Sequence, residues 1–482
     1  MVVVIGAGHN GLVAAVRLAS RGLDVTVVEA AAEPGGGVRS TSSSGFVFDD
    51  CAAFFPLTAA SPAFRQLELG IDWVNPALPM AHVFEDGSAL PLHRDVVETA
   101  AAVGESWRSL VESLWPVRWS LVELGLGRLP PVRALGRVVR GLGKEAFSVA
   151  PMAMASSAAL GRSLFGSDRA AGWLAGSGAH ADVSPFVPGS GAFSLGLNFL
   201  GHVVGWPFPR GGAGRITEAL VERLRSLGGE LRCGTPVERI EGGIVRLRGG
   251  ERLDADAVLC TASPAVLMSL LPAGALPVRV EGRLRGWRYG LGTLKLDYAL
   301  RGPAPWPAAA ARQAGVVHIG GPLEEIAASL SQAKAGAFPD RPALVVGQQS
   351  LHDSSRAPVG QHTLYAYARV PQHGTADMAD QVDAQIERYA PGFRDLVLTR
   401  AVRTPGDIER DNPSMAGGDL ASGSFELDQQ LILRPDPRLC RYRTPAKGLY
   451  VAGAWVHPGA GVHGMSGWNA AGRILEDRSR RS

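Results

Sequence analysis

Four consecutive apolar, β-branched residues, Val2-Val3-Val4-Ile5, predict a buried strand at the start of the chain. Leu12, Val13, Val16, Leu18 and Ala19 follow at helical spacing, and Val25-Thr26-Val27-Val28 predicts a second buried strand. From about residue 60 to 180 the pattern is helical, with long stretches over 96–126 and 134–165 that carry Trp107, Trp115, Trp119, Met152 and Met154. A mixed texture returns at about 210, with a helix over 215–227 and strands at 231–233, 237–240 and 257–260. Ser263 then reads as an N-cap with Pro264 at the first helical position. Between about 280 and 420, strands at 292–300, 343–349 and 363–370 accompany an amphipathic helix at 378–389. A strand near Leu449, a glycine-rich loop and a helix over about 465–477 end the chain, and no repeat of fixed period is present.

The strand, turn and helix texture thus occurs three times with other material between. This predicts an α/β chain with a discontinuous Rossmann-like domain made of 1–70, 208–278 and 425–482. An α+β domain made of 71–207 and 279–424 is inserted in it, with a mixed sheet and a helical cap over about 96–180.

Between the first strand and helix lies Gly6-Ala7-Gly8-His9-Asn10-Gly11, and the second strand ends in Glu29. Strand, glycine turn, helix, strand and acid are the context of a dinucleotide site. Gly6 permits the tight turn, Gly8 lets a pyrophosphate approach the backbone, and Gly11 lets the helix pack on the strand. The helix N-terminus offers free N–H groups to phosphate, and Glu29 can accept from ribose hydroxyls.

Composition narrows the classes. A chain of 482 residues with 46% hydrophobic and 19% charged residues can bury large cores. A net charge of +3 gives no case for nucleic acid. Cys51, Cys233, Cys260 and Cys440 form no CxxC and no His/Cys cluster, so no metal site is expected. Isolated reduced thiols suit a cytoplasmic protein. No apolar run reaches the roughly 18 residues of a membrane span, and no basic segment precedes Val2 as in a cleaved signal.

Two further glycine clusters point to a flavin. Gly35-Gly36-Gly37 and Arg39 follow Glu29, as a second turn and a cation for a longer, pyrophosphate-bearing cofactor. Near the end, Gly459, Gly461 and Gly464 also spell GxGxxG, but only 18 residues follow and no βαβ unit can form. That loop reads instead as backbone lying along a flat cofactor. The last helix would then aim its N-terminus at a reducible ring, stabilising negative charge there.

These residues carry a resemblance. The segments 6–15 (GAGHNGLVAA), 209–220 (PRGGAGRITEAL), 347–358 (GQQSLHDSSRAP), 387–395 (ERYAPGFRD), 412–418 (NPSMAGG) and 462–471 (VHGMSGWNAA) are similar to the FAD-dependent phytoene desaturase and amine oxidase superfamily. The similarity covers nearly the whole chain. It points to the phytoene-dehydrogenase-related branch, whose members carry the label pyridine nucleotide-disulphide oxidoreductase domain-containing. The resemblance implies an FAD domain of the glutathione-reductase type. It places Gly6, Gly8 and Gly11 at the pyrophosphate, Glu29 at the ribose, and Gly36 and Arg39 near the phosphates. It places Val237 beside the adenine, and Gly453, Gly464, Met465 and Ser466 at the phosphate and flavin ends. The disulphide label is not to be taken literally, since no redox cysteine pair is present.

Lys295, inside the apolar strand at 292–300, resembles the strand lysine that holds a water near the flavin in amine oxidases. The plainer reading is an outward-facing lysine on an alternating strand. His457 and His463 lie in the flavin loop and are candidate proton shuttles, His463 the better placed, with a structural role as the alternative. His180 and Asp182 follow a helical stretch that would roof the site, and a helix-terminal role is the better reading for Asp182. No chemistry attaches to Asp50 or Cys51.

The function expected is dehydrogenation of a small hydrophobic or conjugated organic substrate by hydride transfer to FAD, with oxygen or a quinone as electron acceptor. Alternatives are oxidation of a C–N bond, isomerisation with reduced FAD, and a non-catalytic flavin-binding interaction protein. Helices at 100–180 suit a lipophilic substrate or ordinary core. The basic and apolar stretch 128–140 suits peripheral contact with an anionic membrane or a solvated helix face.

Overall fold

The first strand, Val2–Ile5, is buried at every position and must be covered on both faces. In a computed structural model, which describes residues 1–480, it is the centre of a five-stranded parallel sheet. The order is Leu449–Val451, Ala257–Cys260, Val2–Ile5, Val25–Val28, Glu230–Arg232. The first helix, His9–Ala19, packs between Gly214–Ser226 and the last helix, Met465–Ser479. A three-stranded antiparallel sheet, Val237–Glu241, Ile244–Leu247 and Arg252–Asp254, shares this core through Ile240, Val245, Leu247 and Leu253.

The second large sheet has seven strands. Their order is Val397–Arg403, Gly292–Leu300, His362–Val370, Leu344–Gly347, Val316–Ile319, Met80–Val83, Ala89–Leu92. Neighbours are antiparallel except Val316–Ile319 with Met80–Val83. One face buries Leu294, Leu296 and Tyr298 against Val382, Ile386 and Phe393. The opposite face carries Thr293, Lys295 and Asp297, and farther along Met80, Val316 and Val345 pack on the helices between 96 and 203. The architecture is therefore the mixed α/β class expected, with parallel and mixed sheets in one chain.

Two expectations need correction. The stretch read as helical from about 60 contains the strands Trp73–Val74, Met80–Val83 and Ala89–Leu92. Met80–Val83 is buried on both faces, so its side chains do not alternate and the strand period is hidden. The long helices over 96–126 and 134–165 are also chains of short ones. Gly104, at φ 120°, divides Val96–Val103 from Glu105–Leu114, and Pro116 sits in the turn before Arg118–Leu126. Gly143, at φ 55°, and the extended Ala155 divide Val132–Leu142, Ala146–Met154 and Ser157–Phe165. Ser263 does precede Pro264–Leu270, but its side chain makes no cap bond. Its N–H donates instead to Ser414 Oγ at 3.1 Å.

Among the described residues no helix is long and apolar enough to cross a membrane. The last two residues of the 425–482 segment lie outside the described residues.

Candidate functional site

The turn after the first strand is built around backbone. Gly11 lies so close to it that a Cβ there would stand 2.0 Å from the Gly6 carbonyl oxygen. Gly8 is different: a Cβ on it meets no atom within 4 Å, so the ground in front of the turn is open. Gly8 is the N-cap of His9–Ala19, and neither a side-chain cap nor a first-turn acid satisfies the helix N–H groups. An open glycine face before uncapped N–H groups suits a pyrophosphate. The Glu29 carboxylate accepts from the N–H groups of Ala7 at 2.7 Å and Ala31 at 2.9 Å, which fixes it beside the turn with lone pairs to spare for hydroxyls.

The second glycine cluster lies against the first. The Gly35 N–H donates to Ala7 O at 2.9 Å, and a Cβ on Gly36 would stand 3.4 Å from Gly8 Cα. Arg39 is tethered sideways, its Nε donating to Asp50 Oδ2 at 3.0 Å. Val237 is half-buried where the three-stranded sheet begins, next to the Thr235 N–H that donates to Glu29 O at 2.8 Å.

At the other end of the chain, the Gly453 N–H donates to Ser466 Oγ at 3.1 Å, and Gly464 opens the last helix in the left-handed conformation. The Met465 N–H donates to His463 Nδ1 at 3.0 Å, so the His463 proton sits on Nε2. Nε2 has no partner of good geometry, although the carbonyls of Gly459 and Ala460 lie near it. His457 Nε2 meets Gly127 O at 2.9 Å, which ties the loop to the helical region. Burial holds His463 down to about 3 and His457 and His9 down to about 4.

Buried neutral histidines make stability depend on pH. The unfolded chain takes up protons below about pH 6.5, whereas His82, His457 and His463 stay neutral in the fold until pH falls to about 4 or 3. Stability therefore falls as pH drops through this window, by about 1 kcal/mol per histidine at pH 5.5. We expect Tm to fall by several degrees between pH 7 and 5.5. A Tm flat over that range contradicts the neutral state.

Lys295 is only 2% exposed, so it is not an outward-facing lysine. The strand Gly292–Leu300 is buried on both faces, and the alternation that suggested exposure separates two interiors. Its Nζ donates to both carboxylate oxygens of Asp297 and lies 5.5 Å from the centre of the Tyr365 ring. Burial pushes the Asp297 carboxyl up, while Lys295 opposes that shift. Tyr367 and Arg403 stand opposite Lys295 in register. The Cys51 thiol is within electrostatic reach of Arg403, Lys295 and Arg39, and burial pushes it up. Arg403 donates to Asp50 O at 3.1 Å, so the segment that follows the second glycine cluster meets the strand beside the lysine.

Several residues were missed in the sequence. Asp297 had a signal: two positions from Lys295, it must share its face. Asp49 had none. It is buried, accepting from Arg356 at 3.0 Å, the Ser40 hydroxyl at 2.7 Å and the Ala213 N–H at 2.7 Å. Asp182 has no helix-terminal role. It accepts from the N–H groups of Leu291 at 2.9 Å and Phe425 at 3.3 Å, tying two loops together. Among the described residues no cluster of His, Cys, Asp and Glu could hold a metal, and the four cysteines are free.

Comparison with known proteins places nearly the whole chain in one family. Residues 11–475 match the model of the flavin containing amine oxidoreductase family. The chain is 28% identical over 546 residues to a pyridine nucleotide-disulfide oxidoreductase domain-containing protein 2 of Rattus norvegicus, covering 98% of this chain and 93% of that one. It is 26% identical over 508 residues to a lycopene-forming phytoene desaturase of Pantoea ananas, covering 98% and 99%. Among solved structures, a putrescine oxidase variant redesigned in its cofactor binding aligns with a TM-score of 0.66, covering 100% and 99% at 15% identity, which is a likeness of fold.

Proposed function

The chain belongs to the flavin containing amine oxidoreductase family and is an FAD-dependent oxidoreductase, and from that premise we propose that it dehydrogenates a hydrophobic or conjugated organic substrate. The observation that carries this reading is the end-to-end sequence likeness to a carotenoid desaturase, whereas the likeness to the putrescine oxidase is one of fold. FAD, when bound, accepts a hydride from the substrate. We assign Gly6, Gly8 and Gly11 to its pyrophosphate, with Gly36 beside them, and Glu29 to the ribose. Arg39, held by Asp50, adds positive charge to that end, and Val237 lies towards the adenine. Gly453, Gly464, Met465 and Ser466 bring the last helix to the ring. Lys295 orients a water or the substrate, with Asp297 balancing its charge. His463 presents Nε2–H towards the cofactor, and His457 anchors the loop.

On this reading 1–70, 208–278 and 425–482 bind FAD, whereas 71–207 and 279–424 choose the substrate. Anaerobic mixing with panels of polyenes, cyclic precursors and amines tests it. Bleaching of the flavin by polyenes or cyclic precursors is expected. Bleaching by amines alone would favour C–N oxidation, and a purified protein that refuses FAD would sink every flavin reading. Reoxidation of the reduced protein by oxygen, compared with a soluble quinone, identifies the acceptor.

The helical region also suits an anionic membrane. Trp115, Val132, Leu135, Val139, Phe147 and Met154 are exposed there, beside Arg133, Arg140 and Lys144. We expect the protein to sediment with anionic vesicles and not with zwitterionic ones. A Leu135→Glu, Val139→Glu variant should lose that binding at least about tenfold. Equal sedimentation of the two proteins removes this face from consideration.

A further inference from the structure

Away from the cofactor segments, three histidines distant in sequence meet inside the molecule. The Tyr367 hydroxyl meets His180 Nδ1 at 2.9 Å, and His180 Nε2 meets His318 Nε2 at 3.0 Å. His82 Nε2 meets the carbonyl of Gly321 at 2.8 Å. Only one gap interrupts the series. His318 Nδ1 and His82 Nδ1 are buried and have no partner among the described residues. Both face Gly176, where a Cβ would stand 3.2 Å from the one and 2.6 Å from the other. The two rings line a partly enclosed cavity with about 20 Å³ of room for the centre of a water molecule, enough for one.

We propose that Tyr367, His180 and His318 form a proton relay from the lysine face of the sheet to a water in the cavity beside Gly176, with His82 holding that water in place. The inner end is set by register: Tyr367 stands opposite Lys295, and its ring lies parallel to that of Tyr365 at 6.4 Å. At the outer end, the Gly321 carbonyl fixes His82 and turns its Nδ1 to the cavity water.

The hydrogen bonds fix the direction of the chain. A carbonyl only accepts, so His82 carries its proton on Nε2 and leaves Nδ1 as an acceptor. Among the described residues no other acceptor meets the Tyr367 hydroxyl, so we assign its donation to His180 Nδ1. His180 then donates from Nε2, and His318 donates from Nδ1 into the cavity. A single water accepting from His318 and donating to His82 completes the series with every ring nitrogen satisfied. Burial keeps all three rings neutral, as a relay requires.

The use of the relay rests on the dehydrogenation reading, although its wiring does not. When two hydrogens leave adjacent carbons, one goes to FAD as a hydride with its electron pair. The other leaves as a proton, and its bonding pair becomes the new C=C bond. That proton must leave the site, and the relay gives it a path to the cavity water.

Nitrogen-15 NMR of histidine-labelled protein without FAD reads the wiring. We expect Nε2–H at His82 and His180 and Nδ1–H at His318. A proton on His318 Nε2 overturns the proposal. In FAD-loaded protein, dithionite supplies two electrons, releasing protons of its own as it becomes sulfite, and the reduced flavin takes up one proton. His318→Phe should slow the proton-coupled bleaching of the flavin at least tenfold, read by flavin absorbance in H2O and in D2O at unchanged FAD content. Tyr367→Phe, which loses only a hydroxyl, should slow it likewise and serves if His318→Phe does not fold. Bleaching at the parent rate in the variants overturns the relay. A parent protein that takes up no FAD counts against the function reading instead, and the tautomers still decide the relay.

Discussion

Gly8→Ala is expected to fold as well as the parent and to bind FAD at least about 100-fold more weakly, a loss of about 3 kcal/mol. The two halves of this result have separate causes. Gly8 has φ −70°, which alanine adopts freely, and its added methyl would touch no protein atom. The apo-protein should therefore keep its Tm, or gain slightly from a less flexible unfolded chain. The open ground in front of Gly8 is where we place the pyrophosphate, so the methyl would displace the ligand and nothing else. Gly11→Ala is the internal contrast. Its methyl would collide with the Gly6 carbonyl, and overpacking of that kind costs about 1–3 kcal/mol or more of folding stability. Bound flavin per chain and apo-protein Tm, measured together, check both. Full FAD content in Gly8→Ala would remove the phosphate from this turn.

The second large effect is expected at Lys295→Met. The substitution leaves Asp297 buried without its cation, and breaking a buried pair typically costs about 3–5 kcal/mol. Part of that cost is recovered by protonation, because burial already pushes the Asp297 carboxyl up. Stability alone would therefore say little about function. The double variant Lys295→Met, Asp297→Leu removes both charges and should regain most of the lost stability. It should still reduce or reoxidise flavin at least about tenfold more slowly if the lysine orients a water or the substrate. Parent rates in both half-reactions for the double variant would leave the pair as a structural feature.

How much could be read beforehand depended on how local each signal was. The first strand, its glycine turn and Glu29 lie within thirty residues, so pattern and spacing expose them. Lys295 was visible as a charge in an apolar strand, but its surroundings were not. Alternation implies a wet face only when one side of a sheet is uncovered, and here both are covered. The strand at Met80–Val83 was hidden for the same reason, since a doubly buried strand reads like a piece of helix. The pair of Asp49 with Arg356, and the meeting of His82, His180 and His318, join residues far apart in the chain. No local period records such contacts, which exist only once the sheet has set its register.

The order of strands in the parallel sheet has a consequence for how the protein is made. Val2–Ile5 leaves the ribosome before the other strands of its sheet, which is not complete until Leu449–Val451 has been synthesised. At about 5–20 residues per second this delay is about 20–90 s. During that time the first helix lacks the Met465–Ser479 helix that packs on it, and the FAD cradle lacks the end that would meet the ring. The seven-stranded sheet has all its strands by Arg403 and can form earlier. On the proposed cofactor assignment, the cradle is complete only once Met465–Ser479 has been made, and until then the apolar face of the opening helix lacks that cover.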